Sequence, residues 1–134
     1  MMTLSDRIHA YYEALREEKP LAPFFAVEPR PAKFGIQERL YGHEEITRAL
    51  AAQSRSTTDW HVESTDLVVG HRADVGWFTD EVEFGWLDTD EDEHYAFDSR
   101  WSGTLVRDDD VWRFVTMHVS IGYDFRSGRV DASD

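Results

Sequence analysis

Apolar residues recur at helical spacing from Leu4 through Ile8, Tyr11 or Tyr12, and Leu15. That pattern predicts a helix over residues 3–18, with Thr3 or Ser5 capping its first turn. Pro20 and Pro23 end this helix and open a short second one carrying Leu21, Phe24, Phe25 and Val27. Pro29 and Pro31 then bracket a turn. Phe34, Ile36 and Leu40 alternate partially, which predicts a short strand between Ala32 and Tyr41. After Gly42, Ile46, Ala49 and Leu50 share one face of a third helix from His43 to Ser54. Beyond it the period changes from 3.6 to 2, the signature of strands. Trp60 to Val69 alternates up to Gly70, and Val75 to Leu87 alternates around Trp77, Phe78, Val82, Phe84 and Trp86. An acidic loop spans Asp88 to Glu93 before the last two strands.

Those last strands carry the most information. With Asp108, Asp109 and Asp110 in the turn, Arg107 is expected opposite Val111, Arg100 opposite His118, and Asp98 opposite Ser120. Strict alternation then collects Asp98, Arg100, Ser102, Thr104, Trp112, Phe114, Thr116, His118 and Ser120 on one face. Phe97, Trp101, Leu105, Val111, Val115, Met117 and Val119 fall on the other. The second set reads as buried. The first mixes aromatic and polar groups, which suits a pocket wall.

Helices first and long antiparallel strands afterwards, with no βαβ alternation, predict an α+β domain. Its N-terminal helices are expected on the concave face of a curved, mostly antiparallel sheet. One domain over 1–125 and a polar tail over 126–134 are expected. Both faces of the last hairpin carry apolar residues, so helices should cover one face and a second copy of the chain the other. The expected assembly is a homodimer through the sheet.

Composition narrows the partners. At 134 residues the chain can bury roughly 70% of its unfolded surface without a staple. It has no cysteine, which removes disulfides, thiolate metal sites and cysteine nucleophiles. No apolar run approaches the ~18 residues of a membrane span, and no basic-then-apolar leader opens the chain, so a cytoplasmic location is expected. A formal charge of −13 disfavours nucleic acid and anionic membrane as partners. Lys19 and Lys33 are the only lysines, and the remaining basic residues are arginines. Many carboxylates with little lysine point to a halophilic source, where salt screens self-repulsion.

The order helix, helix, short strand, Gly42-His-Glu-Glu-Ile46 and long strands ends in Arg100-Trp-Ser-Gly-Thr-Leu-Val-Arg107, an acidic turn, and Val111-Trp-Arg-Phe-Val-Thr-Met-His-Val-Ser120. This resembles the SnoaL-like branch of the nuclear transport factor 2-like superfamily over nearly the whole chain. Ser102 stands where the family usually has threonine. The resemblance implies a cone-shaped α+β fold, a homodimer packed through the sheet, and a pocket between helices and the concave sheet face. It spans isomerases, cyclases, dehydratases and association domains, so it does not select one activity. Isomerase-like members use a first-helix tyrosine as oxyanion donor and strand carboxylates as base and acid. Tyr11 and Tyr12 stand in the comparable helix.

From the residues themselves, His118 is the candidate proton carrier, since an imidazole titrates near neutrality. Arg100 would hold a carboxylate or a developing oxyanion, with Tyr12 as the further oxyanion donor. Trp77, Asp98, Ser102, Phe114, Thr116 and Ser120 are expected to line the ligand site. One of Asp80, Glu81 and Glu83 could point inward as a base. Asp88-x-Asp90-x-Asp92 mimics the start of a calcium loop but has Glu93 and Ser99 where glycine and glutamate belong, so no metal is expected. No phosphate-cradling loop or dinucleotide fingerprint is present, so no cofactor is expected either. Two functions stay open. One is a dimer binding a small, mostly apolar molecule in its cone, with cofactor-free isomerase, dehydratase or cyclase chemistry on a carbonyl compound. The other is a non-catalytic association module whose cone is filled by its own side chains.

Overall fold

Thr3 opens the first helix with a reciprocal cap: its hydroxyl accepts from Asp6 N at 3.0 Å while Thr3 N donates to the Asp6 carboxylate at 3.1 Å. The computed structural model describes residues 2–130. Helix α1 runs Leu4–Arg16 and a single 3₁₀ turn covers Ala22–Phe24, shorter than the second helix the sequence suggests. Strands β1 (Ala32–Phe34) and β2 (Arg39–Tyr41) form a hairpin where one strand is expected, and α2 spans His43–Ser56. Then come β3 (Thr57–Ser64), β4 (Val68–Arg72), β5 (Val75–Asp88), β6 (Glu93–Asp108) and β7 (Val111–Ile121). A small hairpin follows, with β8 (Tyr123–Asp124) at the end of the expected domain and β9 (Arg129–Val130) in the expected polar tail; positions 131–134 of that tail lie outside the described residues.

The main sheet has the order β2-β1-β7-β6-β5-β3, with β4 also paired to β5. All pairings are antiparallel except β1 with β7. The single strand expected over 60–69 is two strands, because the chain leaves β5 at Asp80. There the Asp80 carboxylate accepts from Asp66 N at 3.1 Å, and Thr65 N and Oγ1 both donate to Glu81 O. A side chain thus replaces a ladder bond and splits the edge.

Helices α1 and α2 lie on the concave face. Leu4, Ile8, Tyr11, Tyr12 and Leu15 of α1, with Ile46 and Leu50 of α2, pack on Val62, Phe78, Val82, Phe84, Trp101, Leu105, Trp112, Phe114, Met117 and Val119. Each such side chain contributes about 1.5–3 kcal/mol of burial, far more than helix propensity supplies.

The β6–β7 register differs from the expected one in two places. Asp109 and Asp110 both have positive φ (51° and 62°) and form a two-residue turn, so Asp108 rather than Arg107 pairs with Val111. Between the Leu105–Phe114 and Thr104–Thr116 pairs, Val115 is an extra residue, a bulge. The two one-residue shifts add. Arg100 pairs with Ser120 and Ser102 with His118, so Arg100 is not opposite His118 and Asp98 is not opposite Ser120. Trp112 and Phe114 turn to the buried face with Leu105, whereas Val111 and Val115 are only half-buried.

Candidate functional site

A cavity of about 400 Å³ opens between α2, the β1–β2 hairpin and the concave sheet face. Its floor is aromatic. Trp60 stacks on Trp86 with centroids 5.0 Å apart, and Phe84 stands edge-on to Trp101 at 5.7 Å. A bulge near Asp59, which has φ 53°, sets Trp60 in place, and Trp60 Nε1 donates to Thr57 Oγ1 at 3.0 Å. Trp101 is fixed in turn, since its Nε1 donates to Ser99 Oγ, which donates to Val82 O. Anchored rings make a preformed apolar wall.

The polar rim comes from two elements. Gln53, Ser56 and Thr57 end α2, while Lys33, Gln37 and Glu38 come from the β1–β2 hairpin. Lys33 is buried among the β1 neighbours Leu40 and Met117, and its ammonium donates to the Glu38 carboxylate. Glu38 is partly exposed and so faces both its partner and water. The turn holding it is tight, with Gly35 N donating to Glu38 O at 3.1 Å. A Cβ at Gly35 would sit 2.7 Å from Glu38 Cγ.

Two adjacent tyrosines play different parts. Tyr12 donates to Asp80 Oδ2 at 2.9 Å, away from the cavity. Of the three strand carboxylates in question, Asp80 is the one that faces inward; Glu81 is exposed and Glu83 half-buried on the outer face. Tyr11 lines the cavity, and its hydroxyl has no hydrogen-bond partner among the described residues. No buried side-chain polar atom there is both sealed and unpaired, so this hydroxyl must reach the cavity. Burial, and then the Glu38 charge, hold the Tyr11 phenol well above its ordinary range, and it stays a donor at neutral pH.

The residues singled out by sequence lie mostly elsewhere. His118, Arg100, Ser102 and Ser120 do share a hollow, of about 440 Å³, but on the outer face of the sheet with Thr79 and Glu81. His118 there is edge-on to Phe34 at 5.9 Å. Asp98 lies on that same face beside Glu83 and Arg100. Trp77 is half-exposed on it, its indole lying against Gly70. Thr116 accepts from Thr104 N at 2.9 Å. Phe114 is core, packed against Tyr11, Phe25 and Phe78. None of these, nor Tyr12, lines the cone. Sequence reasoning chose Tyr12 over its neighbour Tyr11 as the first-helix hydroxyl, and singled out neither Lys33 nor Glu38 for the site. The only signal for Lys33 was its rarity.

His61, Glu63 and Glu83 on the outer face bring donor atoms within 4.8 Å of one another, the one such group among the described residues, and it is largely exposed. The acidic loop folds on itself, with Asp88 Oδ1 accepting from Asp90 N and Glu91 N. Among the described residues no helix is long and apolar enough to cross a membrane.

Solved structures share this architecture. A nuclear transport factor 2-like protein of unknown function from Pseudomonas putida is 15% identical, aligns over 98% of this chain and 92% of its own, and gives a TM-score of 0.80. A proposed dehydratase of the same superfamily from Streptomyces avermitilis is 19% identical over 85% of this chain and 90% of its own, with a TM-score of 0.75. A cystatin-like protein from Caulobacter vibrioides is 17% identical over 92% and 90%, with a TM-score of 0.73. At such identities the likeness shows the fold alone. Among curated proteins none matches the chain. The SnoaL-like domain family matches residues 5–124, nearly the full length. The chain therefore belongs to the SnoaL-like domain family, within the nuclear transport factor 2-like fold.

Proposed function

We propose that this protein binds a small, mostly apolar carbonyl compound in the cone and moves a proton on it without a cofactor. One observation carries the reading: an open cavity of about 400 Å³ with an aromatic floor and a converging hydroxyl, carboxylate and ammonium. Rings of Trp60, Trp86 and Phe84 receive the apolar body of the ligand. The Tyr11 hydroxyl, which has no hydrogen-bond partner among the described residues, donates to the carbonyl oxygen and strengthens that bond as negative charge develops. Glu38 takes a proton from the carbon beside the carbonyl and returns it to a neighbouring position. Lys33 holds the Glu38 carboxylate in place and offsets its charge. Such enolisation is the step shared by isomerisation, dehydration and cyclisation, and the Streptomyces avermitilis neighbour described as a dehydratase fits that group.

The open cavity speaks against a cone filled by its own side chains. Phe114 belongs to the core and does not line the cavity, and Trp77 is on the other face. The outer face is the dimer surface in this reading. Val68, Val75, Trp77 and Tyr41 are each more than two-fifths exposed there, an apolar grouping that a second copy would cover. His118 and Arg100 then serve assembly.

The test uses 2-acetonaphthone as probe. Its quenching of tryptophan fluorescence should vanish in Ala49→Trp, which fills the cone. Exchange of its methyl protons in D2O, followed by NMR, should be accelerated by the protein and lost in Glu38→Gln. Unchanged quenching in Ala49→Trp refutes cone binding, and equal exchange in Glu38→Gln removes Glu38 as the base.

A further inference from the structure

Twelve of the fourteen basic side chains in this protein are arginines. Of the two lysines, Lys19 is an exposed surface residue paired with Glu17. The other, Lys33, is 6% exposed and lines the cone. A purely structural cation could be supplied by either residue type. An amine differs from a guanidinium in one chemical respect that matters here: once it gives up a proton it is a nucleophile.

The surroundings of Lys33 supply what that nucleophile needs. Glu38 already accepts a hydrogen bond from the ammonium, so it can take the proton. The Tyr11 hydroxyl reaches the same cavity, feels the Glu38 charge, and has no hydrogen-bond partner among the described residues. The Trp60–Trp86 stack lines the same cavity.

We propose that Lys33 forms a Schiff base with an aldehyde or ketone bound in the cone. The inference rests on the cone as the carbonyl-binding site. Lys33 Nζ passes a proton to Glu38 and attacks the carbonyl carbon, whose oxygen is held by Tyr11. The C=O π bond breaks, and one proton of the newly attached nitrogen moves to the oxygen to give a carbinolamine. Glu38 returns a proton to that hydroxyl, the C–O bond breaks, and water leaves. The amine and the carbonyl compound thus become an iminium and one water, with no oxidant or reductant. The iminium acidifies the neighbouring C–H far more than a hydrogen bond does, and Glu38 is beside it to accept the proton.

The experiment is reductive trapping. The intact protein is mixed with 2-naphthaldehyde at equimolar concentration and sodium cyanoborohydride, and labelled lysines are located by peptide mass spectrometry. Lys19 is the internal control for unassisted amine chemistry. The expected result is labelling of Lys33 at least tenfold faster than Lys19, slowed about tenfold in Glu38→Gln and blocked when 2-acetonaphthone competes. Equal labelling of the two lysines, or labelling of Lys19 alone, overturns the proposal. If 2-acetonaphthone still quenches fluorescence in that case, only the covalent step is lost and the cone remains the binding site. If it does not, both fall. Lys33→Met, checked by circular dichroism, confirms the assignment by losing the label while Lys19 keeps its own.

Discussion

The Tyr12 hydroxyl donates to Asp80 Oδ2 at 2.9 Å, with both side chains almost sealed from water. The other Asp80 oxygen accepts from Asp66 N at 3.1 Å, so one carboxyl group ties α1 to the edge of the sheet. This is a joint in the scaffold. Tyr12→Phe removes one of its two donors and should cost about 2 kcal/mol in urea denaturation, while leaving 2-acetonaphthone affinity within twofold of wild type.

Tyr11→Phe should behave in the opposite way. Its hydroxyl has no hydrogen-bond partner to lose among the described residues, so the urea midpoint should barely move. Ligand affinity should fall about tenfold, the equivalent of about 1.4 kcal/mol for a lost hydrogen bond. Isothermal titration against 2-acetonaphthone checks this.

Alkaline stability follows from the same two residues. Burial first, then the neighbouring carboxylates Glu38 and Asp80, raise the Tyr11 and Tyr12 phenols above their ordinary value of 10.0. The unfolded chain loses these protons above about pH 10, while the folded chain keeps them. Their contribution is therefore full below that pH and lost as pH rises, at about 1.4 kcal/mol per pH unit for each phenol. Urea titrations between pH 9 and 11.5 should show a shallower decline in Tyr12→Phe than in wild type.

Gly103 should tolerate no side chain. A Cβ there would lie 2.3 Å from the Thr116 carbonyl oxygen, beside the Val115 bulge where β6 and β7 close up. Backbone cannot move aside as a flexible side chain would. Gly103→Ala should lose about 3 kcal/mol by urea denaturation.

The outer face gives a separate prediction. Trp77→Glu places a charge among the exposed apolar side chains of the outer face without touching the core. Light scattering should find wild type as a dimer and this variant as a monomer, with ligand affinity in the cone preserved.

Sequence patterning located α1, α2 and the long strands because their apolar periods are regular. The site was less legible. Alternation alone cannot reveal that Asp109–Asp110 form a two-residue turn or that Val115 bulges, and each shifts the register by one. The shifts cancel in parity above the bulge, so Arg100, Ser102, His118 and Ser120 do share a face. They do not cancel below it, and Phe114 and Trp112 turned inward. Nothing in the pattern said which face the helices cover. The aromatic and polar mixture at His118 looked like a pocket wall, while Lys33 and Glu38 of the cone come from a three-residue strand and its turn, too short to show a period.

Binding of 2-acetonaphthone to His118→Ala and Tyr11→Phe, titrated side by side, decides between the two hollows. With the cone as the site, His118→Ala binds like wild type and Tyr11→Phe binds about tenfold more weakly. Loss of binding in His118→Ala with Tyr11→Phe unaffected would place the ligand on the outer face and contradict the assignment.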